Sequence, residues 1–264
     1  MTSNLSEQER IVNISVSGWS GSGATSLALI LTCLLDYHYL HLGGVYRYLG
    51  YKLGHSEEGF SRPKFDDYIE AIIGPTTDKY RDYKLLEGDS FIVDSDLGTF
   101  LIGKHPKVFS IFLKSEFEER VKKVIKDERE DALAVLKERD EVNRKFYFDM
   151  HSIDIFDEEL IDRKFNYVLD NTNVSLDSET RMVIENLKTI THFKTAFDFE
   201  DIDNRIDDEV EKFAVLGKDG YKENLLKKKL IITPQEIITE ISRLFPEDIA
   251  EYPENMRNIF LGSD

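Results

Sequence analysis

Residues 11–26 read IVNISVSGWSGSGATS, and this stretch decides the fold. A short apolar run (Ile11, Val12, Ile14, Val16) precedes Gly18-Trp19-Ser20-Gly21-Ser22-Gly23-Ala24-Thr25. An apolar helical run begins at Leu27. Strand, glycine loop, helix is the context of a phosphate-binding P-loop. Glycines let backbone N–H groups approach phosphate oxygens, and the following helix adds its positive end. The pattern G-x-x-x-x-G-K-[ST] is met at Gly18, Gly23 and Thr25, and Ala24 stands where the lysine belongs. Gly18, Gly21, Ser22, Gly23, Ala24, Thr25 and Ser26 are therefore the candidate nucleotide-phosphate residues, with Thr25 as a Mg²⁺ ligand. The alternative is a glycine-rich turn with no ligand. Loss of the lysine leaves the anion nest intact but removes a cation that phosphoryl transfer uses.

The chain has 264 residues and a formal net charge of −17. It is 41% hydrophobic and 32% charged, the make-up of a soluble globular protein. Such an acidic surface disfavours nucleic acid and anionic membranes as partners. A small anionic ligand would need a locally basic pocket. One cysteine, Cys33, excludes an internal disulfide and suits a reducing cytoplasm; a buried small hydrophobe is its expected role. The N-terminal MTSNLSEQER lacks the marks of a secretory signal, and no apolar run is long enough to span a membrane.

The pattern predicts a helix over 25–35, a strand over 37–42, a break at Gly43-Gly44 and a new helix from Val45. A further helix starts at Ser61-Arg62-Pro63, carries Phe65, Tyr68, Ile69, Ile72 and Ile73, and ends at Gly74-Pro75. Strands follow at 91–93 and 107–113. Ser115 and Glu118 form an expected capping box for a helix to about Lys126. A charged, solvent-facing helix is expected over 126–157, then a strand at 167–170 and a helix around Met182–Leu187. Strands alternating with helices predict an α/β fold: a P-loop NTPase-type parallel sheet covered by helices on both faces. Its ligand should sit beyond the carboxyl ends of the strands.

Residues 195–264 hold 17 acids and 9 bases, so they carry −8 of the −17. Residues 198–211 read as an acidic linker or a solvated helix. Thr233-Pro234-Gln235-Glu236 is a second capping box, before an amphipathic helix with Ile237, Ile238, Ile241, Leu244 and Phe245. The division expected is 1–194, with an acceptor-binding insertion about 45–88 and a lid about 131–157, followed by an acidic helical C-terminal extension, 195–264. The extension would pack on the core or on a protein partner. A chain cut near Lys194 should then fold alone.

The order of motifs resembles the cytidylate kinase family, its archaeal-type branch especially, over about 11–187. It is carried by the glycine loop, LGGVYRYLG at 42–50, VDSDLGTFL at 93–101, KVFSIFLKSEFEERVKKV at 107–124, ERDEVNRKFYFDMHSIDIFDE at 138–158 and YVLDNTNVSLDSETRMVIENL at 167–187. The resemblance implies ATP and Mg²⁺ bound at the glycine loop and a nucleoside monophosphate, CMP or dCMP, as acceptor. It implies acceptor contacts at Tyr46, Arg47, Asp96, Gly98 and Thr99; a surface helix charge is the alternative for Arg47. Ser95 stands where the family has an arginine. An archaeal-type alignment instead sets Asp94-Ser95 on the acid-glycine pair. In the lid the resemblance implies phosphate clamps at Arg139 and Arg144, with Lys145 a weaker candidate and Phe146 where another arginine would stand. Asp94, at a strand end, would orient Mg²⁺ through water. The six histidines lack metal-ligand spacing and read as surface or packing residues.

Three functions remain open from sequence. One is a nucleoside monophosphate kinase. The second is a nucleotide-binding protein of little activity whose acidic tail is an interaction module. The third is a kinase of another small acceptor. If the protein is active, a lid arginine or a lysine such as Lys104 must supply the charge missing at Ala24.

Overall fold

In a computed structural model, residues 12–54, 67–126, 132–190, 193 and 197–262 are described. Five parallel strands, β1 (Asn13–Gly18), β2 (His38–His41), β3 (Phe91–Asp94), β4 (Val108–Lys114) and β5 (Tyr167–Asp170), lie in the order β2-β3-β1-β4-β5. In register, Val16 pairs with Asp94 and Ile111, and His41 with Asp94. β1 alternates rather than running apolar throughout. Ile14 and Val16 face one core, while Asn13, Ser15 and Ser17 are buried on the other side. Asn13 donates to the carbonyls of Leu85 (2.9 Å) and Gly88 (2.8 Å) and accepts from Phe91 N, which ties the chain just before β3 to the sheet.

Helix α1 (Ala24–Leu35) is buried continuously from Leu27 to Leu35, because α7 (Leu176–Lys188) and α8 (Phe199–Lys227) cover the side turned away from the sheet. A second core gathers Leu40, Val45, Val93, Ile73 and Tyr80 with Ile237, Ile241 and Met256. It joins α2 (Leu42–Lys52) and α3 (Asp67–Glu87) to α9 (Pro234–Leu244), α10 (Pro246–Ala250) and α11 (Glu254–Leu261). A third, built on Phe112, Phe100 and Phe165, holds the chain between α5 (Ala132–His151) and α6 (Glu158–Lys164).

Several expectations are corrected. β2 runs straight into α2, so Gly43 and Gly44 lie in the helix's first turn and break nothing. Helix α3 passes through Gly74-Pro75 instead of stopping. A Cβ on Gly74 would lie 2.6 Å from Met150 Cε of α5, so the glycine permits a close helix crossing. Thr77 Oγ1 donates to the carbonyls of Ile73 and Gly74 beside the proline, whose missing N–H costs one backbone bond. The Ser61–Pro63 start and Phe65 fall outside the described residues. The Ser115 capping box does not form. Helix α4 (Phe117–Lys126) begins one residue too late for it, the Ser115 hydroxyl is buried without a partner, and Arg120 takes the Ser115 carbonyl.

The charged 126–157 stretch is not one helix. It ends at His151 and is followed by Ile153 and Ile155, which enter the third core; α6 has no counterpart in the sequence reading. Of the two readings of 198–211, linker or solvated helix, the helix forms: it is the first leg of α8, capped by Asp198, with Ile202 and Ile206 buried rather than solvated. The Thr233 capping box does form. Past α8, Tyr39 N donates to Leu230 O (2.7 Å) and Ile232 N to Tyr39 O (3.0 Å). Ile231 thereby adds a parallel rung to the outer edge of β2.

Candidate active site at the head of the first helix

The loop between β1 and α1 is fixed from behind. Ser22 N donates to Trp19 O (2.9 Å), and the Trp19 indole donates to Ile155 O (3.0 Å) while stacking on Phe156. Arg120, buried on α4, donates to Ser20 O (2.9 Å) and pairs with Asp140 (2.9 Å). Asn171 Nδ2 (2.7 Å) and Lys123 Nζ (3.1 Å) both donate to Ser22 O. With its carbonyls pulled back, the loop is free to turn N–H groups toward a ligand. Gly23 caps α1 at φ 103°, ψ 6°, a left-handed conformation that disfavours any other residue. A Cβ there would meet nothing nearer than Asn171 Nδ2 at 4.0 Å, so the cradle is open.

Asn171 also donates to Glu179 Oε2 (2.7 Å). Burial pushes the Glu179 carboxyl up to about 7, against the pull of the Asn171 hydrogen bond and the Lys123 charge. Between the ordinary carboxylate range and that value the folded protein holds a proton that the unfolded chain has lost. Stability therefore falls as pH rises from about 4.5 to about 7 and is level beyond. Glu179→Gln should flatten this slope and stabilise the protein at pH 8 by up to about 3 kcal/mol, at 1.36 kcal/mol per unit, with little change at pH 4. Chemical denaturation at the two pH values measures it.

At the front of the loop, Asp94 ends β3, buried. Tyr39 donates to its Oδ2 (2.7 Å), the Thr25 hydroxyl reaches the same carboxylate, and His41 Nδ1 lies 2.9 Å away at a poor angle. Burial alone would raise the Asp94 pKa; His41, Tyr39 and Thr25 together hold it down to about 2. Asp94 is thus an anion touching the first hydroxyl of α1. Arg47 donates to His41 Nε2 (2.6 Å), which puts the ring proton on Nδ1, facing Asp94. His41 is therefore part of this network and not a bystander, a correction that only the pairing of β2 with β3 reveals.

Burial, then the neighbouring Arg139, pull the Arg47 guanidinium below its ordinary value. Arg139 lies 3.9 Å from Asp96, which also accepts from Asn143 Nδ2 (3.2 Å). The structure so brings Thr25, Asp94, Asp96, Arg47 and Arg139 together at the carboxyl ends of the strands. It separates the rest. Tyr46 meets Thr77 (3.2 Å) at the edge of the second core. Thr99 is fully buried and donates to Lys164 O (3.3 Å), and Gly98 presses on Ser17; both pack the strands. Arg144 is held by Asp154 over the Phe156 ring, Lys145 by Asp149, and Phe146 packs on Tyr147 near Gly74. Lys104 is exposed just before β4, at the amino end of the sheet and away from the loop, so it is no substitute for the missing lysine. Among the described residues no cluster of His, Cys, Asp and Glu could hold a metal by itself, and no helix is long and apolar enough to cross a membrane. The hydroxyl and carboxylate at Thr25 and Asp94 are nonetheless hard oxygen donors of the kind that suit Mg²⁺ shared with phosphates.

A parallel sheet, an open glycine cradle at a helix N-terminus and a strand-end acid touching the helix's first hydroxyl define a P-loop fold of the kinase type. More narrowly, the chain belongs to the cytidylate kinase-like family, which matches residues 13–172. It is 28% identical over 190 residues to the cytidylate kinase of Pyrobaculum islandicum and 30% over 192 to that of Pyrobaculum neutrophilum, in each case covering 70% of this chain and 97% of the relative. It is 28% identical over 159 residues to the cytidylate kinase of Thermococcus kodakarensis, 58% of this chain and 78% of that one. Among solved structures, an uncharacterised protein from Eubacterium ventriosum shares the fold with a TM-score of 0.50 at 16% identity, over 68% of this chain and 99% of that one.

Proposed function

We propose that the protein transfers the terminal phosphoryl group of Mg·ATP to a nucleoside monophosphate, CMP or dCMP. The observation that carries this is the meeting of Thr25 with an ionised Asp94 beside the open Gly23 cradle. Loop N–H groups and the α1 terminus would bind the ATP phosphates. Thr25, and Asp94 through water, would hold Mg²⁺, which would neutralise charge developing on the phosphates. Arg47 and Arg139, near enough for each to feel the other's charge, are two cations suited to the acceptor phosphate within a strongly acidic chain. An acceptor phosphate oxygen bonds to the γ-phosphorus as its bond to the bridging oxygen breaks, which yields ADP and a nucleoside diphosphate. The protein supplies position and charge rather than covalent chemistry. We further propose that 195–264 serves this site as part of the same folded unit rather than as a protein-binding tail.

A coupled assay with Mg·ATP against a panel of monophosphates tests the reading, run beside calorimetric ATP binding. Turnover with cytidine acceptors supports it; turnover with other acceptors alone overturns the acceptor assignment. The second reading, nucleotide binding without turnover, is favoured by Ala24 and Ser95 and by the engagement of Arg47 with His41. Within the first reading, Arg139→Ala is expected to cut kcat about a hundredfold with KM for ATP little changed. Arg144→Ala should give a smaller loss, since Asp154 already holds that side chain. Steady-state kinetics of the two variants checks the order.

A further inference from the structure

Helix α8 is two legs joined at Gly217 (φ 67°, ψ 172°). The second leg leads through Lys228 and Lys229 into Leu230 and the parallel rung between Ile231 and Tyr39. The contacts of α8 set the direction of both legs. On the first, Asp203 meets Lys188 at the end of α7 and Asp207 meets Arg181 nearer its start; on the second, Lys228 Nζ comes back to Cys33 Sγ near the end of α1 (3.5 Å). The second leg therefore starts on the carboxyl-end side of the sheet, the side on which the glycine loop opens. Its rotation is set by Tyr221 and Leu225, both buried in the α1 core, with the Tyr221 hydroxyl donating to Glu209 (2.7 Å). Lys222 follows Tyr221 directly. It is half-buried, and its ammonium lies close enough to Asp94 and Arg47 to feel the charge of both. Among the described residues it makes no hydrogen bond or ion pair. A half-buried lysine within reach of the Asp94 charge, yet with no ion-pair partner among the described residues, is an odd expense for packing alone.

We propose that Lys222 supplies the cation missing at Ala24 and binds the terminal phosphates of the nucleoside triphosphate held in the loop. The proposal rests on the nucleotide reading above. The point charge that most P-loops carry on the first turn of the helix would here arrive from the other end of the chain, across the same phosphates. Lys222 belongs to α8, beyond residue 172 where the family match ends, so the substitution at 24 and its replacement lie in different parts of the sequence. Burial pulls the Lys222 ammonium below its ordinary value, with Asp94 opposing and Arg47 adding to the shift, as befits a cation waiting beside other cations for an anion.

The test uses the full chain. Lys222→Met keeps the buried aliphatic stem and removes the charge. It is expected to weaken ATP binding by calorimetry about tenfold to a hundredfold, the worth of one charge-assisted contact. The double variant Ala24→Lys/Lys222→Met should regain most of that affinity, a rescue that a merely structural role could not give. Ala24→Lys alone should gain little. On the unaltered protein, saturating ATP should shield Lys222 from an acylating reagent, read by peptide mass mapping. The proposal is overturned by wild-type ATP affinity in Lys222→Met, by a loss that lysine at 24 does not recover, or by absence of shielding. Wild-type protein that takes up no ATP overturns the nucleotide reading itself, and this assignment with it.

Discussion

A Gly23→Val variant is expected to fold and to bind no measurable ATP. Gly23 sits at φ 103° with open space where its Cβ would be, so a Cβ there clashes with no protein atom. The cost to the fold is backbone strain of about 1–3 kcal/mol, which a native domain holding about 5–15 kcal/mol survives. The cost to the ligand is larger. A β-branched side chain would fill the phosphate cradle and turn the N–H groups at the head of α1 away. Losing two such bonds to a charged phosphate, at about 1.5–3 kcal/mol each, lowers affinity at least about a hundredfold. A melting curve and an ATP titration on the same sample decide it. Unchanged affinity in a folded variant would show that the loop holds no nucleotide.

A chain ending at Lys194 is expected not to fold, the reverse of what the sequence suggested. Ile202, Ile206, Tyr221, Leu225 and Leu230 belong to one cluster with Ile14, Leu27 and Ile30. Ile237, Ile238, Ile241 and Met256 belong to another with Leu40, Val45 and Val93. Each such side chain is worth about 1.5–3 kcal/mol when fully buried, and only a few of them exceed the stability of a typical domain. The cut would also bare α1 on the face that α8 covers. Circular dichroism and size-exclusion chromatography of residues 1–194 should show an aggregated or non-cooperative product. A cooperative melt would mean that the extension is an appendage after all.

The glycine loop, the helix behind it and the acid at the end of β3 were legible because each is a local pattern: spacing of glycines, an apolar run, a strand ending in Asp94. The Thr233 capping box was legible for the same reason. Gly74-Pro75 misled because stop signals are also local, whereas the reason for that glycine is Met150 on another helix. Ser115 misled likewise: its hydroxyl is buried without a partner and α4 begins too late for it to cap. His41 could not be found by ligand spacing, since its role comes from lying opposite Asp94 in the sheet. Lys222 was hidden most thoroughly. Nothing near it in sequence points to phosphate; only the turn of α8 at Gly217 and the charges of Asp94 and Arg47 within its reach point there.

That rung also fixes an order of events during synthesis. Until Leu230–Ile232 leaves the ribosome, the backbone groups of Tyr39 that it will occupy face outward on the last strand of the sheet. An unprotected strand edge is a template for other chains. The glycine loop is thus made well before the segment at 230–232 that closes the sheet beside it. A chain stalled or terminated before residue 230 would hold all five strand sequences with nothing to cover that edge, so the truncated product is the sticky one.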